Sequence, residues 1–339
     1  MTYRYLGHSG LKVSRLCLGT MMFGGPTAEA EAHLIIAHAK VHGVNFIDTA
    51  DVYQKGITEE VVGRGIIASR DDWVLATKFG NPMGEGPNSR GNSRKWIIEA
   101  VENSLRRLGT DYIDLLYFHR ADFEAPLGEG VRAIGDLIRS GKVRYFGVSN
   151  FRGWRIAEIA HLADAEGIDR PIASQPLYNL VSRQAEVEEL PAAHHYGLGV
   201  VSYSPLARGV LTAKYAPGVA PDPGSRAARN DKRMMETEWR AESVDIADKI
   251  RAYVAERNIA PVDMAVGWVL NNRRVTSVIA GPRTLEQWQS YVRAQDYRFT
   301  AEDEALIESL VAPGHSSTPG FNDPAYPLEG RVPYTSEQR

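Results

Sequence analysis

Four residues in this chain have side chains suited to moving a proton onto oxygen. Asp48 closes the apolar run in "GVNFIDTADVY", and Tyr53 follows it by five positions. Lys78 closes "WVLATK", and His119 closes "IDLLYFH". Singly, each has an ordinary explanation: a turn-forming aspartate, a solvated lysine, a hydrogen-bonded histidine. Taken as a set, they make sense as chemistry. A free phenol with a pKa near 10 is a poor proton source at neutral pH, and an adjacent ammonium should lower that value. The ammonium, if buried, needs a counter-ion, which Asp48 can supply. A neutral His119 can donate a hydrogen bond to an oxygen on which negative charge develops. Such a set polarises a carbonyl and protonates its oxygen. The sequence offers no serine nucleophile elbow and no metal cluster to attack the carbon. The attacking species is therefore expected from a cofactor, most simply as hydride from a nicotinamide.

Residues this far apart meet only if a fold gathers their strand ends. The chain opens with a hairpin pattern, "TYRYL", "GHSG", "LKVS". Eight apolar strands follow, alternating with amphipathic helices: "LCLGTM", "NFIDTA", "WVLATK", "IDLLYFH", "VRYFGVS", "IASQPLY", "GVVSYSP" and "TSVIAG". Helices are expected over 93–108, capped by Ser93 and stopped by Gly109, and over 128–139, stopped by Gly141. Alternation of this kind implies a parallel sheet, and strands apolar on both faces imply helices outside it. Eight repeats without a break in composition favour a closed (β/α)8 TIM barrel, which gathers all strand ends at one mouth. No Gly-x-Gly-x-x-Gly follows the first strand, so an open dinucleotide-binding sheet is disfavoured. One domain is expected over 1–339, with a hairpin at 1–14 and an irregular tail at 312–339.

The 339 residues carry 43% apolar and 24% charged side chains and a net charge of −3, as in ordinary soluble proteins. That balance gives no reason to expect nucleic acid or a membrane as partner. The single Cys17 excludes an internal disulfide. The N-terminus has no apolar signal region, and a cytoplasmic location is expected.

The stretches "GVNFIDTADVY", "LATK", "LGTDYIDLLYFHR", "IRSGKVRYFGVSNF" and "VVSYSPLARGVLT" resemble the aldo-keto reductases, in order, up to about residue 311. The resemblance implies that Asp48, Tyr53, Lys78 and His119 are the catalytic set, with Tyr53 as general acid and NADPH as cofactor. It implies that Ser149, Asn150 and Gln175 bond the nicotinamide carboxamide and that Tyr203 stacks on its ring. Ser204, Leu206 and Arg208 would follow the pyrophosphate. Gly281, Arg283 and Gln287 would hold the adenosine end, where a guanidinium suits a 2′-phosphate. After that glutamine the family usually has an acidic residue and an asparagine. This chain has Ser290 and Tyr291, which leaves NADH open as an alternative.

The substrate is expected to be a small carbonyl compound, in a pocket of Phe23, Tyr53 and His119. The loops 79–94, 120–126 and 208–240 and the tail are expected to wall it. Arginines and asparagines there suit a polar or polyoxygenated carbonyl. Trp96 is expected to pack outside the barrel. A nucleotide-binding regulatory subunit is the competing reading, since some members of the family are channel-associated. A hydrolase using Asp48 and His119 ranks lower, for want of metal ligands. Oligomeric state is not legible.

Overall fold

The computed structural model describes residues 2–328. A short antiparallel hairpin, β1 (Tyr3–Tyr5) and β2 (Lys12–Ser14), precedes eight further strands. These are β3 (Leu16–Gly19), β4 (Phe46–Asp48), β5 (Val74–Phe79), β6 (Ile113–Phe118), β7 (Val143–Ser149), β8 (Ala173–Gln175), β9 (Gly199–Ser202) and β10 (Val275–Ala280). They close in sequence order, every pair parallel, with β10 returning to β3. The protein is a (β/α)8 barrel. The strands "IASQPLY" and "GVVSYSP" are shorter than the sequence suggests. Pro176 and Pro205 have no N–H to donate, so the regular ladder gives way there to a single parallel bridge, Leu177 to Tyr203, with the Tyr203 amide donating to the Pro176 carbonyl.

Two-residue alternation divides every strand. Phe46, Ala76, Leu115, Tyr117, Ala173, Val201 and Ile279 fill the barrel interior as one cluster. Ile47, Leu75, Leu116 and Val148 face outward into the larger core beneath the helices. The interior is tight. A Cβ on Gly147 would lie 2.7 Å from the Tyr117 ring and from the Ala173 carbonyl oxygen, so the tyrosine fits only beside glycine.

The helices follow their caps. Ser93 accepts from the Trp96 amide at the start of Arg94–Leu108, and Gly109 ends that helix at φ 63°. Trp96 is buried there, packing as expected. The next helix, Leu127–Arg139, begins one residue earlier than its pattern suggested, behind Pro126.

The hairpin lies across the barrel's N-terminal end. Leu6 joins the interior cluster, and Gly7 (φ +58°) sits so close that a Cβ would meet the Gly197 and Ile172 carbonyl oxygens at 2.4 and 2.5 Å. At the other end, residues 311–328 run over the mouth without regular structure. A bridge from Ser182 to Ser316 and a hydrogen bond from Gln184 to the Phe321 carbonyl hold them. The rest of the expected tail, 329–339, lies outside the described residues.

Candidate active site

The alternation that fills the interior also selects what stands at the mouth. Two residues beyond Cys17, Phe46, Ala76, Tyr117, Gly147, Ala173, Val201 and Ile279 come Gly19, Asp48, Lys78, His119, Ser149, Gln175, Tyr203 and Gly281. Eight strands thus present one ring of inward positions, two of them glycines that leave room and six of them polar. The structure brings all four proposed chemical residues to this ring or directly above it.

Tyr53 reaches the ring because the chain after β4 keeps pairing with β5. The Thr49 amide donates to the Ala76 carbonyl and the Asp51 amide to that of Lys78. The backbone then kinks sharply, with Gln54 and Lys55 both left-handed at φ 47° and 55°. Lys78 lies fully buried below. Its ammonium donates to Asp48 Oδ1 (2.5 Å), the Thr49 carbonyl (2.8 Å) and Tyr53 Oη (3.4 Å), so its three protons have three acceptors. The other Asp48 oxygen accepts from Gln175 Nε2 at 3.0 Å. Ser149 Oγ donates to the Gln175 carbonyl, Asn150 Nδ2 to Ser149 Oγ and the His119 carbonyl, and Tyr203 Oη to Asn150 Oδ1. One network therefore runs from Tyr203 to Tyr53.

The electrostatics correct one expectation. The Tyr53 phenol is not brought below its ordinary value. Burial pushes it up; Lys78 pulls it down, but Asp48 counters that pull. The ammonium's charge is largely cancelled by the carboxylate that keeps it buried. Burial by itself would lower Lys78, yet attraction to Asp48 and Tyr53 leaves its pKa raised and the amine charged. Burial also raises Asp48, against the pull of Lys78 and Gln175. His119 is held well below its ordinary value by burial, with Lys78 and Arg120 adding to the effect. Its ring is neutral at pH 7, its Nδ1 has no partner among the described residues, and it lies edge-on to the Tyr53 ring at 6.0 Å.

Asp51 is a residue the sequence did not single out. It is buried, and neither carboxyl oxygen meets hydrogen-bond geometry with a described partner. Burial and the neighbouring Glu59 push it up to about 8, against the nearby Val52 amide, Arg107 and Lys78. An unfolded aspartate titrates near 4. The fold's preference for the protonated form is thus complete below about pH 4 and is lost as pH rises towards 8. Asp51→Asn should accordingly gain on the parent as pH rises from 5 to 8, by roughly 2–4 kcal/mol at 1.4 kcal/mol per unit. Urea unfolding of both proteins at several pH values measures this. A difference that stays flat with pH would mean that the carboxyl is ionised.

A cavity of about 590 Å³ opens above the ring and extends to one side. Of the residues assigned to cofactor, Ser149, Asn150, Gln175, Tyr203, Ser204, Leu206, Arg208, Gly281, Arg283 and Gln287 all line it. Gln287 also accepts from the Arg283 amide, while the Arg283 guanidinium has no partner among the described residues. Ser290 and Tyr291 line the same end. Three further arginines there, Arg226, Arg229 and Arg233, and Lys214, were not foreseen individually. For the arginines the signal was the basic run "SRAARNDKR" (225–233), inside the loop 208–240 expected only to wall the pocket; Lys214 lies outside that run. Ser204, Ala207, Arg208 and Ala213 all have positive φ, so the segment doubles back on itself beside the cavity.

Two expectations about the pocket wall fail. Phe23 does not line it. Its amide bonds the Thr20 carbonyl in a tight turn, and its ring is wholly buried in the outer core. Met21 and Met22 face the cavity instead. The loop 79–94 contributes no lining residue either. Its hydrogen bonds, Gly91 to Gly80 and Asn92 to Asp122, fold it away from the mouth.

Residues 15–312 match the model of the aldo/keto reductase family. The chain belongs to that family. It is 38% identical over 303 residues to a protein of Arabidopsis thaliana named as a probable voltage-gated potassium channel subunit beta, covering 87% of this chain and 92% of that one. It is 36% identical to the uncharacterized oxidoreductase YrpG of Bacillus subtilis, over 94% and 98% of the two chains. It is 33% identical to the L-glyceraldehyde 3-phosphate reductase of Escherichia coli O157:H7, over 93% of each. An aldo/keto reductase barrel with reductase relatives supports an oxidoreductase acting on a carbonyl, with a nicotinamide cofactor in general. Among the described residues no helix is long and apolar enough to cross a membrane.

Proposed function

We propose that the protein is an NADPH-dependent reductase of aldehydes or ketones, with Tyr53 as general acid. The observation that carries this reading is the charge of the cavity. Arg208, Lys214, Arg226, Arg229, Arg233 and Arg283 line it, and among the described residues Asp48 is its single carboxylate, in a chain of net charge −3. That cationic trough leads from the helix start at Thr284 to the Tyr53–His119 pair, and it fits a ligand with phosphates along its length. The unpartnered Arg283 guanidinium suits a 2′-phosphate. Ser149, Asn150, Gln175 and Tyr203 would hold the nicotinamide end, which when bound supplies hydride. Tyr53 donates its proton to the carbonyl oxygen, while Lys78 stabilises the negative charge left on the phenolate. A neutral His119 donates a ring N–H to the same oxygen.

Relatives bear the names L-glyceraldehyde 3-phosphate reductase and versiconal hemiacetal acetate reductase, which fits carbonyl chemistry here. The channel-subunit relative favours a second reading, nucleotide binding with little turnover. One experiment separates them: NADPH and NADH consumption over a panel of aldehydes and ketones, with Arg283→Ala alongside. The expected result is turnover with NADPH, and in the variant a KM for NADPH raised about 10- to 100-fold against a change under threefold for NADH. NADPH binding without turnover of any carbonyl would favour the regulatory reading. Equal effects on both nucleotides would remove the assignment of Arg283.

A further inference from the structure

A second cavity, of about 450 Å³, adjoins the first, and Asn150, Tyr203 and Tyr326 line both. Tyr326, carried by the segment that crosses the mouth, stands at the edge the two cavities share. Its amide bonds the Asp323 carbonyl, and its own carbonyl accepts from Arg152. Asp323 is gripped by both terminal nitrogens of Arg233, at 3.0 and 2.6 Å. That edge is therefore fastened on two sides.

The second cavity begins one residue from the reacting ring, because Arg120 follows His119 directly. The Arg120 guanidinium lies 5.7 Å from the Tyr326 ring and makes no hydrogen bond or ion pair among the described residues. Glu188 and Glu189 line the same cavity. The Glu189 carboxyl has no side-chain hydrogen bond to a described residue, and burial pushes it up to about 7, against the pull of Arg152. The wall thus offers an unspent donor and an unspent carboxyl that both gives and accepts near neutral pH. Arg152 and Asp323 line the same cavity, so the wall carries both signs of charge: a purely anionic ligand would meet carboxylates and a cationic one would meet guanidiniums. Hydroxyl groups, which donate and accept, satisfy both.

We propose that this second cavity binds the far end of the carbonyl substrate and selects a neutral, hydroxylated chain, with Glu189 and Arg120 bonding hydroxyls beyond the carbonyl. This rests on the reading that the carbonyl sits at Tyr53 and His119. Its volume is that of an ordinary small-ligand pocket.

The test compares kcat/KM for butanal, erythrose and erythrose 4-phosphate, at saturating NADPH, in the parent and in Glu189→Leu and Arg120→Leu. In the parent, erythrose should exceed butanal at least tenfold, corrected for its free aldehyde fraction. Each variant should bring that ratio towards one. The parent's ratio needs no variant to fold, so equal values for erythrose and butanal overturn the proposal outright. An unchanged ratio in both variants overturns it as well. So does a phosphorylated substrate that exceeds erythrose tenfold through Arg120 alone. Butanal reduced without any hydroxyl preference would sink this proposal and leave the reductase reading standing. No aldehyde reduced at all would sink both.

Discussion

Tyr53→Phe should lower kcat by roughly 10³-fold, within the range that a positioned general acid contributes, and change NADPH affinity by less than about threefold. The substitution removes one oxygen, whose described contact is with Lys78 at 3.4 Å. The ring keeps its packing, and no residue assigned to the cofactor loses a partner. Because burial raises the phenol's pKa, the parent keeps its proton through neutral pH, and activity should not fall before clearly alkaline pH. Single-turnover kinetics with fluorescence titration of NADPH measures both quantities. Loss of binding together with turnover would make Tyr53 a structural residue and withdraw its assignment as the acid.

Lys78→Met should be costly in a different way. Asp48 and Lys78 are both buried, so removing the cation strands a carboxylate whose remaining described hydrogen-bond partner is Gln175. Breaking one side of such a pair costs about 3–5 kcal/mol. Asp48 can relieve part of that cost by taking a proton, so the loss should grow as pH rises. Adding Asp48→Asn should restore most of the stability without restoring activity, since the double variant buries no unpaired charge. Urea midpoints for the parent, the single and the double variant at two pH values give the answer. A single variant as stable as the parent would mean that Asp48 never depends on Lys78 for its place.

Asp48, Lys78 and His119 were legible because strand ends are local features, whereas Ser149, Gln175, Tyr203 and Gly281 came only from the family resemblance and Gly19 was not singled out. Apolar runs locate the strands, and the residue that ends each run on the inward face can be read off directly, as Lys78 and His119 were. Properties that depend on sums over the whole site were not legible. The direction of the Tyr53 shift depends on Asp48 cancelling Lys78 at short range, and no spacing reveals that balance. Phe23 was misplaced because a turn through Thr20 decides which way its ring goes. Arg226 and Arg229 sit on a loop whose course depends on left-handed residues such as Ala207 and Ala213, which sequence gives no reason to place at positive φ. Asp51 shares its stretch with Asp48, and only the fold shows that one has partners and the other lacks them.

The hairpin under the barrel has a bearing on timing. With Leu6 and Gly7 at the lower end and Tyr117, Cys17 and Ala76 packed beneath Asp48, the described residues close the ring from below with buried, largely apolar packing. The mouth is then the side from which ligands reach the ring. If Tyr53 is the acid, as proposed, its one proton must be replaced from that side after each turnover, and recharging would follow departure of the product.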